Sequence, residues 1–203
     1  MKRNHPMIPW CRYADDALAH CKTEQQAQEL LMKLKERFKE CGLELHPDKT
    51  KIVYCKDSNR KNEYSNTKFE FLGYSFQRRL VKNKEKKMFM GFTAAVSKSA
   101  QQSMREKTRS HKFYKRTYMS LNDIADIINP MIRGWIEYYG RYQASALYPV
   151  FRHFNKTLVT WAMNKYRNFK GHKSCAANFL ESISKREPGL FAHWKIGMVG
   201  AFA

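Results

Sequence analysis

The stretch Arg12-Tyr13-Ala14-Asp15-Asp16 decides how the first part of this chain is interpreted. Short apolar runs precede and follow the two acids, which predicts a β-hairpin that carries both carboxylates at its tip. Adjacent aspartates repel each other, and a bound divalent cation would remove that cost. Mg²⁺ favours one or two carboxylates together with substrate phosphates, so the pair is a candidate metal site. From spacing alone a solvated acidic turn is the favoured interpretation, because acidic turns are common.

The composition is that of a basic chain able to form a core. The 203 residues are 43% hydrophobic and carry a formal net charge of +20, which fits one large or two small domains. Such an excess predicts a polyanionic partner, most commonly nucleic acid, with a membrane surface as the alternative. No apolar run reaches about 18 residues and no signal pattern opens the chain, so we expect a cytoplasmic protein that does not bind membranes.

Cysteine spacing and charge distribution further limit the kinds of site that this chain can carry. The five cysteines form no Cys-x-x-Cys pair and no paired Cys/His spacing, which argues against a zinc site and a disulfide framework. Residues 78–116 hold 13 basic and 2 acidic side chains, next to a nearly neutral segment over 117–149. A block of this density is typical of a nucleic-acid-binding face, although a basic surface can also serve solubility alone.

Periodicity predicts a mixed first part. Thr23 opens a capping motif, apolar residues follow at three- and four-residue steps, and Gly42 ends the predicted helix. We place this helix against the sheet that carries the aspartates. The predicted strands lie over 43–45, 51–55 and 69–76, the last with a bend at Gly73, and a basic hairpin has its loop over 82–87.

Helical signals take over after about Val96. The predicted helices lie over 97–110, 120–128, 131–142, 144–168 and 176–184. Asn129 and Pro130 are interpreted as the cap and first-turn proline of the third of these helices. The predicted fold class is therefore α+β, with a mixed domain over 1–96 and an all-α domain over 97–203.

Four segments together resemble the reverse transcriptases encoded by group II introns. They are residues 13–16, 42–50, 69–74 and 133–139, the last preceded by Ile128-Asn129-Pro130. The first resembles the polymerase signature, the next two resemble the blocks that follow it, and the last resembles the maturase-specific (X) segment. The resemblance implies the end of a polymerase palm, an antiparallel sheet with a packed helix, followed by an all-α thumb/maturase domain.

The resemblance also implies roles at the palm. Asp15 and Asp16 would be the catalytic carboxylates of a two-Mg²⁺ site, and Tyr13 and Ala14 would line the incoming nucleotide. Lys49 would lie near the triphosphate, although a lysine at a turn is the simpler interpretation by composition.

Leu72 and Gly73 match the primer grip, where close approach of the backbone to a primer end explains a glycine. An ordinary strand bend explains it equally well.

A third group of residues is expected to bind RNA. The basic side chains interpreted as phosphate contacts are Lys98, Arg105, Lys107, Arg109, Lys112, Lys115, Arg116 and Arg133. For Arg133, a helix salt bridge to Glu137 is an equal alternative. The aromatic set assigned mainly to packing is Trp135, Tyr138, Tyr139 and Tyr142. His193 and Trp194 resemble a C-terminal signature of the family, with no chemistry assigned.

The implied function is that of an RNA-directed DNA polymerase, a nucleotidyltransferase, and intron maturase of a mobile element. Its implied partners are group II intron RNA and an RNA template with a DNA primer. The alternative is a non-enzymatic RNA-binding splicing factor that uses the basic thumb surface.

The chain departs from the family at its start. Only eleven residues precede Arg12, so we expect no counterpart here of the fingers and of a further metal-binding aspartate of the family, and we expect an incomplete metal site. We therefore expect no polymerase activity from the isolated chain. An N-terminal fingers/palm fragment and a second copy of the chain are the protein partners that this arrangement suggests.

Overall fold

The computed structural model describes residues 5–83, 85–198 and 202. The elements are strands β1 (Trp10–Tyr13) and β2 (Asp16–Ala19), helix α1 (Glu24–Glu40), strands β3 (Lys68–Phe71), β4 (Tyr74–Lys82) and β5 (Met88–Val96), and helices α2 (Lys98–Ser110), α3 (Leu121–Gln143), α4 (Tyr148–Lys165), α5 (Lys173–Arg186) and α6 (Ala192–Lys195). The predicted α+β class is confirmed. Within the described part of the chain, no helix combines the length and apolar character needed to cross a membrane.

The chain divides into two compact units. One comprises Met1–Phe71 and Gln77–Phe92, and the other comprises Leu72–Phe76 and Thr93–Ala203. The functional division at residues 96 and 97 stays a prediction.

In the first unit, β1 and β2 pair antiparallel and form the predicted hairpin. Helix α1 follows with the predicted caps: Thr23 Oγ1 accepts from Gln26 N–H at 3.1 Å, and Gly42 adopts φ +68. The Leu43 N–H donates to the Phe38 carbonyl at 2.8 Å, which completes a Schellman motif. Leu30 is the buried residue of α1, so most of its apolar stripe is only half covered.

Two strand predictions are wrong. Residues 43–45 and 51–55 form no strand within the described segment 41–67. Tyr54 N–H donates to the Asn66 carbonyl at 2.8 Å and Ser58 N–H to the Met90 carbonyl at 2.9 Å, which is too little pairing for a ladder. Alternating residues form a strand only where a run of backbone hydrogen bonds joins them to a neighbouring edge, and these isolated bonds do not form such a run.

Residues 69–76, predicted as one strand with a bend, instead form the end of β3, a turn and the start of β4. Leu72 and Gly73 have φ values of +51 and +76 and form a two-residue turn between β3 and β4, as a type I′ turn requires. Strands β3, β4 and β5 form one sheet in that order. The basic hairpin between β4 and β5 is confirmed, with Asn83 N–H bonded to the Lys87 carbonyl at 2.9 Å. Lys84, in its loop, lies outside the described residues.

The second unit holds a large apolar core. Most of its fully buried side chains come from the 3-10 turn Phe113–Lys115 and from α3, α4, α5 and α6. The largest of them are the tryptophans Trp161 and Trp194 and the phenylalanines Phe113, Phe151, Phe154, Phe191 and Phe202. The predicted helix over 144–168 is α4 between two 3-10 turns, Ala144–Leu147 and Arg167–Phe169.

The break predicted at Asn129 and Pro130 is wrong, because α3 continues through both residues. Asn129 is buried, and its side chain binds a distant segment instead of capping a helix. Its Nδ2 donates to the Leu190 carbonyl at 2.9 Å, and its Oδ1 accepts from the Ala192 N–H at 2.8 Å. Tertiary hydrogen bonds and the packing of α3 therefore override the local signal.

Candidate functional site

The two aspartates occupy different places on the hairpin. Ala14 and Asp15 form its turn, and Asp16 is the first residue of β2, paired with Tyr13. Ala14 has φ +52, the conformation that glycine normally supplies at the first position of such a turn. Both carboxylates are exposed, and Tyr13 is 65% exposed. The hairpin therefore presents the two acids and the tyrosine to solvent.

The metal-binding potential of the hairpin rests on these two carboxylates. No group of three or more His, Cys, Asp or Glu side chains suited to a metal ion occurs in the part of the chain that the structure describes. Lys49 is exposed on a turn closed by Thr50 N–H and the His46 carbonyl at 2.9 Å. Its role at the triphosphate stays a prediction.

The Leu72–Gly73 turn is anchored to α3. The Tyr138 hydroxyl donates to the Leu72 carbonyl at 3.1 Å, and the Tyr74 hydroxyl donates to the Tyr138 carbonyl. A Cβ atom on Gly73 would lie 2.5 Å from the Tyr139 hydroxyl. The glycine therefore has a packing reason as well as a turn reason, and neither bears on the predicted primer-grip role.

The aromatic set of α3 divides by exposure. Trp135 and Tyr139 pack against the core, whereas Tyr138 and Tyr142 are 47% and 65% exposed. The rings of Tyr138, Tyr139 and Tyr142 lie 5.3 to 5.4 Å from the ring of Tyr74. Burial raises the pKa of the Tyr74 phenol, and the neighbouring tyrosines raise it further.

The predicted RNA contacts lie on α2, on the turn that follows it, and on α3. Six are exposed: Lys98, Lys107, Arg109, Lys112, Lys115 and Arg133. Arg105 and Arg116 are half-buried, and the Arg116 guanidinium lies 5.9 Å from the centre of the Phe113 ring. Their contact with RNA stays a prediction.

Two of these residues line a cleft, which we call the α2–α4 cleft. One wall is formed by Arg109, Lys112 and Tyr114, and the other by one face of α4, and the volume is about 410 Å³. The α4 residues of that wall are His153, Lys156, Thr157 and Thr160. None of these four is among the residues predicted from the sequence, although their spacing of three and four residues, opposite the apolar stripe of α4, is a detectable polar stripe.

The cleft walls are held together by hydrogen bonds from the end of α4. Asn164 Nδ2 donates to the Tyr114 carbonyl at 2.7 Å, and Trp161 Nε1 donates to the Arg116 carbonyl at 3.2 Å. Lys165 Nζ donates to two further carbonyls of the segment between α2 and α3, at 2.9 and 2.7 Å. Lys112 has φ +49, which turns the chain out of α2 toward α4.

His153 is neutral in this cleft. Arg109 Nε donates to His153 Nε2 at 3.2 Å, and a nitrogen that accepts cannot carry a proton. Burial lowers the pKa of His153, and the nearby Arg109, Arg105 and Lys156 charges lower it further.

The predicted C-terminal signature is a buried network. Asn155 Oδ1 accepts from His193 Nε2 at 2.7 Å and from Trp194 Nε1 at 3.1 Å, and Asn155 Nδ2 donates to the Met198 carbonyl at 3.2 Å. Burial lowers the pKa of His193 to about 3. These contacts give the signature a structural role, which is to attach the C-terminal segment to α4.

Comparison with protein families matches two regions in order. Residues 1–76 match the model for reverse transcriptase (RNA-dependent DNA polymerase), and residues 101–178 match the model for the group II intron maturase-specific domain. No curated protein and no solved structure matches the chain. The first region contains the Asp15–Asp16 hairpin, and the second contains all of α3 and α4. The chain therefore belongs to the group II intron reverse transcriptase and maturase family.

Proposed function

We propose that this chain presents the catalytic aspartates of an RNA-directed DNA polymerase and the intron-binding surface of a maturase. The observation that carries the proposal is the order of the two matched regions on one chain, with an exposed Asp-Asp hairpin in the first. In this reading Asp15 and Asp16 are catalytic, Tyr13, Ala14 and Lys49 contact the incoming nucleotide, and Leu72 and Gly73 position the primer. No finding favours the non-enzymatic alternative.

The reverse transcriptase family uses divalent metal ions in general, and we propose Mg²⁺ here. Two carboxylates with hard oxygen ligands at the exposed tip of a hairpin fit an ion that keeps several waters and takes its remaining ligands from substrate phosphates. When bound, the metal supplies charge neutralisation at the transferring phosphoryl group. Asp15 and Asp16 would hold it, because one lies in the turn and the other begins β2, which places both at the tip of the hairpin.

The two regions of the family imply binding to intron RNA and to templates. We propose group II intron RNA as the specific partner in the cytoplasm, and an RNA template with a DNA primer as the polymerase substrate. An N-terminal fingers/palm fragment supplied by another chain, or a second copy of this chain, is the protein partner we propose. The half-covered apolar stripe of α1 supports such an association.

The proposal is tested by binding of the chain to group II intron RNA and to an unrelated structured RNA of equal length across a salt series. We expect a preference for the intron that survives moderate salt, because shape-specific contacts are less salt-dependent than phosphate neutralisation. Equal and steeply salt-dependent binding to both RNAs would contradict the maturase assignment.

The matched control is the double variant Asp15→Asn with Asp16→Asn. These side chains are exposed and nearly isosteric with the aspartates, so the fold and the RNA affinity should be unchanged, while DNA synthesis in a complemented enzyme should be lost. A variant that binds RNA several-fold more weakly, or that still supports DNA synthesis, would show that the aspartates do not have the proposed role.

A further inference from the structure

We propose that the α2–α4 cleft binds one ribonucleotide of an unpaired RNA segment, with its phosphate at Arg109, Lys112 and Lys156 and its ribose 2′-hydroxyl at Thr157 and Thr160. The inference rests on the proposed RNA-binding function and adds to it a site that distinguishes RNA from DNA.

The charge of the cleft favours an anion. Arg109, Lys112 and Lys156 line the cleft, and none of the residues that line it is acidic. Three cations around a cavity of about 410 Å³ repel one another unless an anion lies between them. Phosphate is the anion that a basic RNA-binding chain meets most often. The cavity also has room for the attached ribose.

The orientation of the Arg109 guanidinium favours phosphate as that anion. Arg109 donates its Nε–H to His153 Nε2 at 3.2 Å, so the imidazole holds the guanidinium in one direction. This contact leaves the two terminal Nη groups of Arg109 for another acceptor, and a pair of parallel N–H groups matches two phosphate oxygens. A neutral His153 is required for this arrangement, since a protonated imidazole has no lone pair to accept with. His153 is therefore a positioning residue, and Arg109 is the phosphate ligand.

The two threonine hydroxyls of the cleft favour a ribose beside the phosphate. Thr157 Oγ1 donates to the His153 carbonyl at 3.1 Å, and Thr160 Oγ1 donates to the Lys156 carbonyl at 3.0 Å. A hydroxyl whose proton is already used can only accept from a further partner. The 2′-hydroxyl of RNA is a donor that DNA lacks. The cleft thus offers two acceptors beside three cations, which matches the ribose and phosphate of one ribonucleotide.

The test compares three short single-stranded oligonucleotides of one sequence: RNA, DNA, and RNA with 2′-fluoro groups, which keep the ribose pucker of RNA but cannot donate. We expect the wild-type chain to bind RNA about three- to tenfold more tightly than 2′-fluoro RNA. The double variant Thr157→Val with Thr160→Val should bind both equally and bind DNA as the wild type does. The control Thr157→Ser with Thr160→Ser keeps both hydroxyls and should keep the preference.

The phosphate half of the site is tested with Arg109→Gln and Lys156→Gln together. The slope of log affinity against log salt is negative. Removing two phosphate contacts should make it less steep by about 1.4 for single strands. The control Lys33→Gln with Lys35→Gln removes the same charge at exposed positions of α1 that are not assigned to RNA binding, and it should leave both the slope and the preference for RNA over 2′-fluoro RNA intact. Thermal melts of each variant establish that it is folded.

The outcomes separate this inference from the proposed function. If the wild type prefers intron RNA but binds 2′-fluoro RNA as tightly as RNA, the cleft assignment is overturned and the maturase function stands. If the wild type shows no preference for intron RNA, the proposed function fails first. Displacement of RNA by inorganic phosphate at constant ionic strength, without any 2′-hydroxyl effect, would reassign the cleft to free phosphate and overturn the inference.

Discussion

Position 73 does not accommodate a residue larger than glycine, because two independent constraints act on it. Its φ of +76 favours glycine, and a Cβ would lie 2.5 Å from the Tyr139 hydroxyl. We expect Gly73→Ala to lower the free energy of unfolding by about 2–4 kcal/mol, from backbone strain and overpacking together. Urea denaturation measures the loss.

The second variant in that experiment is Gly73→Ala with Tyr139→Phe. Removing the hydroxyl relieves the closest contact and leaves the φ penalty. We therefore expect Gly73→Ala to cost less stability in the Tyr139→Phe variant than in the wild type. If the two substitutions are simply additive, the contact with Tyr139 is not the reason for the glycine.

His193 gives the fold a defined pH dependence. Its pKa is lowered to about 3 by burial, while an unfolded histidine titrates near 6.5. Between these values the unfolded chain binds a proton that the folded chain does not. The contribution of His193 to the free energy of unfolding therefore has its full value above about pH 6.5. As the pH is lowered below this value, the contribution falls by about 1.4 kcal/mol per pH unit.

Urea unfolding at pH 7, 6 and 5 tests this prediction, with His193→Gln as the comparison. Glutamine has no titratable group and retains an N–H for Asn155, so the variant should lose less stability between pH 7 and pH 5 than the wild type does. His153 and His111 also have pKa values lowered chiefly by burial, so some acid sensitivity should remain. Identical pH profiles of the two proteins would show that His193 does not contribute to the pH dependence of stability.

At the scale of elements, the sequence predicts those features that depend on hydrogen bonds between residues close together in the chain. Thr23 and Gly42 mark the ends of α1 because capping bonds involve residues within one turn. The path of α3 through Pro130 could not be predicted, because it depends on bonds from Asn129 to residues about sixty positions away. The α2–α4 cleft has the same origin, since Arg109 and His153 meet only after the helices pack.

Asn129 joins α3 to Leu190 and to Ala192, the first residue of α6, and its removal tests that connection. Asn129→Leu is close in volume but leaves the Leu190 carbonyl and the Ala192 N–H without their partner. We expect a loss of about 2–5 kcal/mol, because each buried group bears its desolvation cost alone. Thermal melting is the measurement, and Asn122→Leu, at an exposed position of the same helix, should change stability by less than about 1 kcal/mol. Equal effects would remove Asn129 from this role.

At the scale of the whole molecule, apolar burial is concentrated in one unit. Among the described residues of the first unit, Ile8 and Leu30 are the buried hydrophobic side chains, whereas the core cluster from Val96 onward belongs to the second. Local opening costs least where few apolar contacts are lost. We therefore expect amides of α1 and of the β1–β2 hairpin to exchange hydrogen much faster than those of α3 and α4.

Hydrogen exchange with mass spectrometry measures this difference, and a matched pair of core deletions sharpens it. Leu158→Ala removes a fully buried side chain of α4 and should lower stability by about 2–5 kcal/mol, so exchange in the second unit should accelerate. Leu30→Ala should accelerate exchange in α1 and leave α4 unchanged, because the two units are compact by themselves. If α1 is protected as strongly as α4, or if Leu30→Ala exposes α4, the two units unfold as one and the stability is not concentrated in the maturase region.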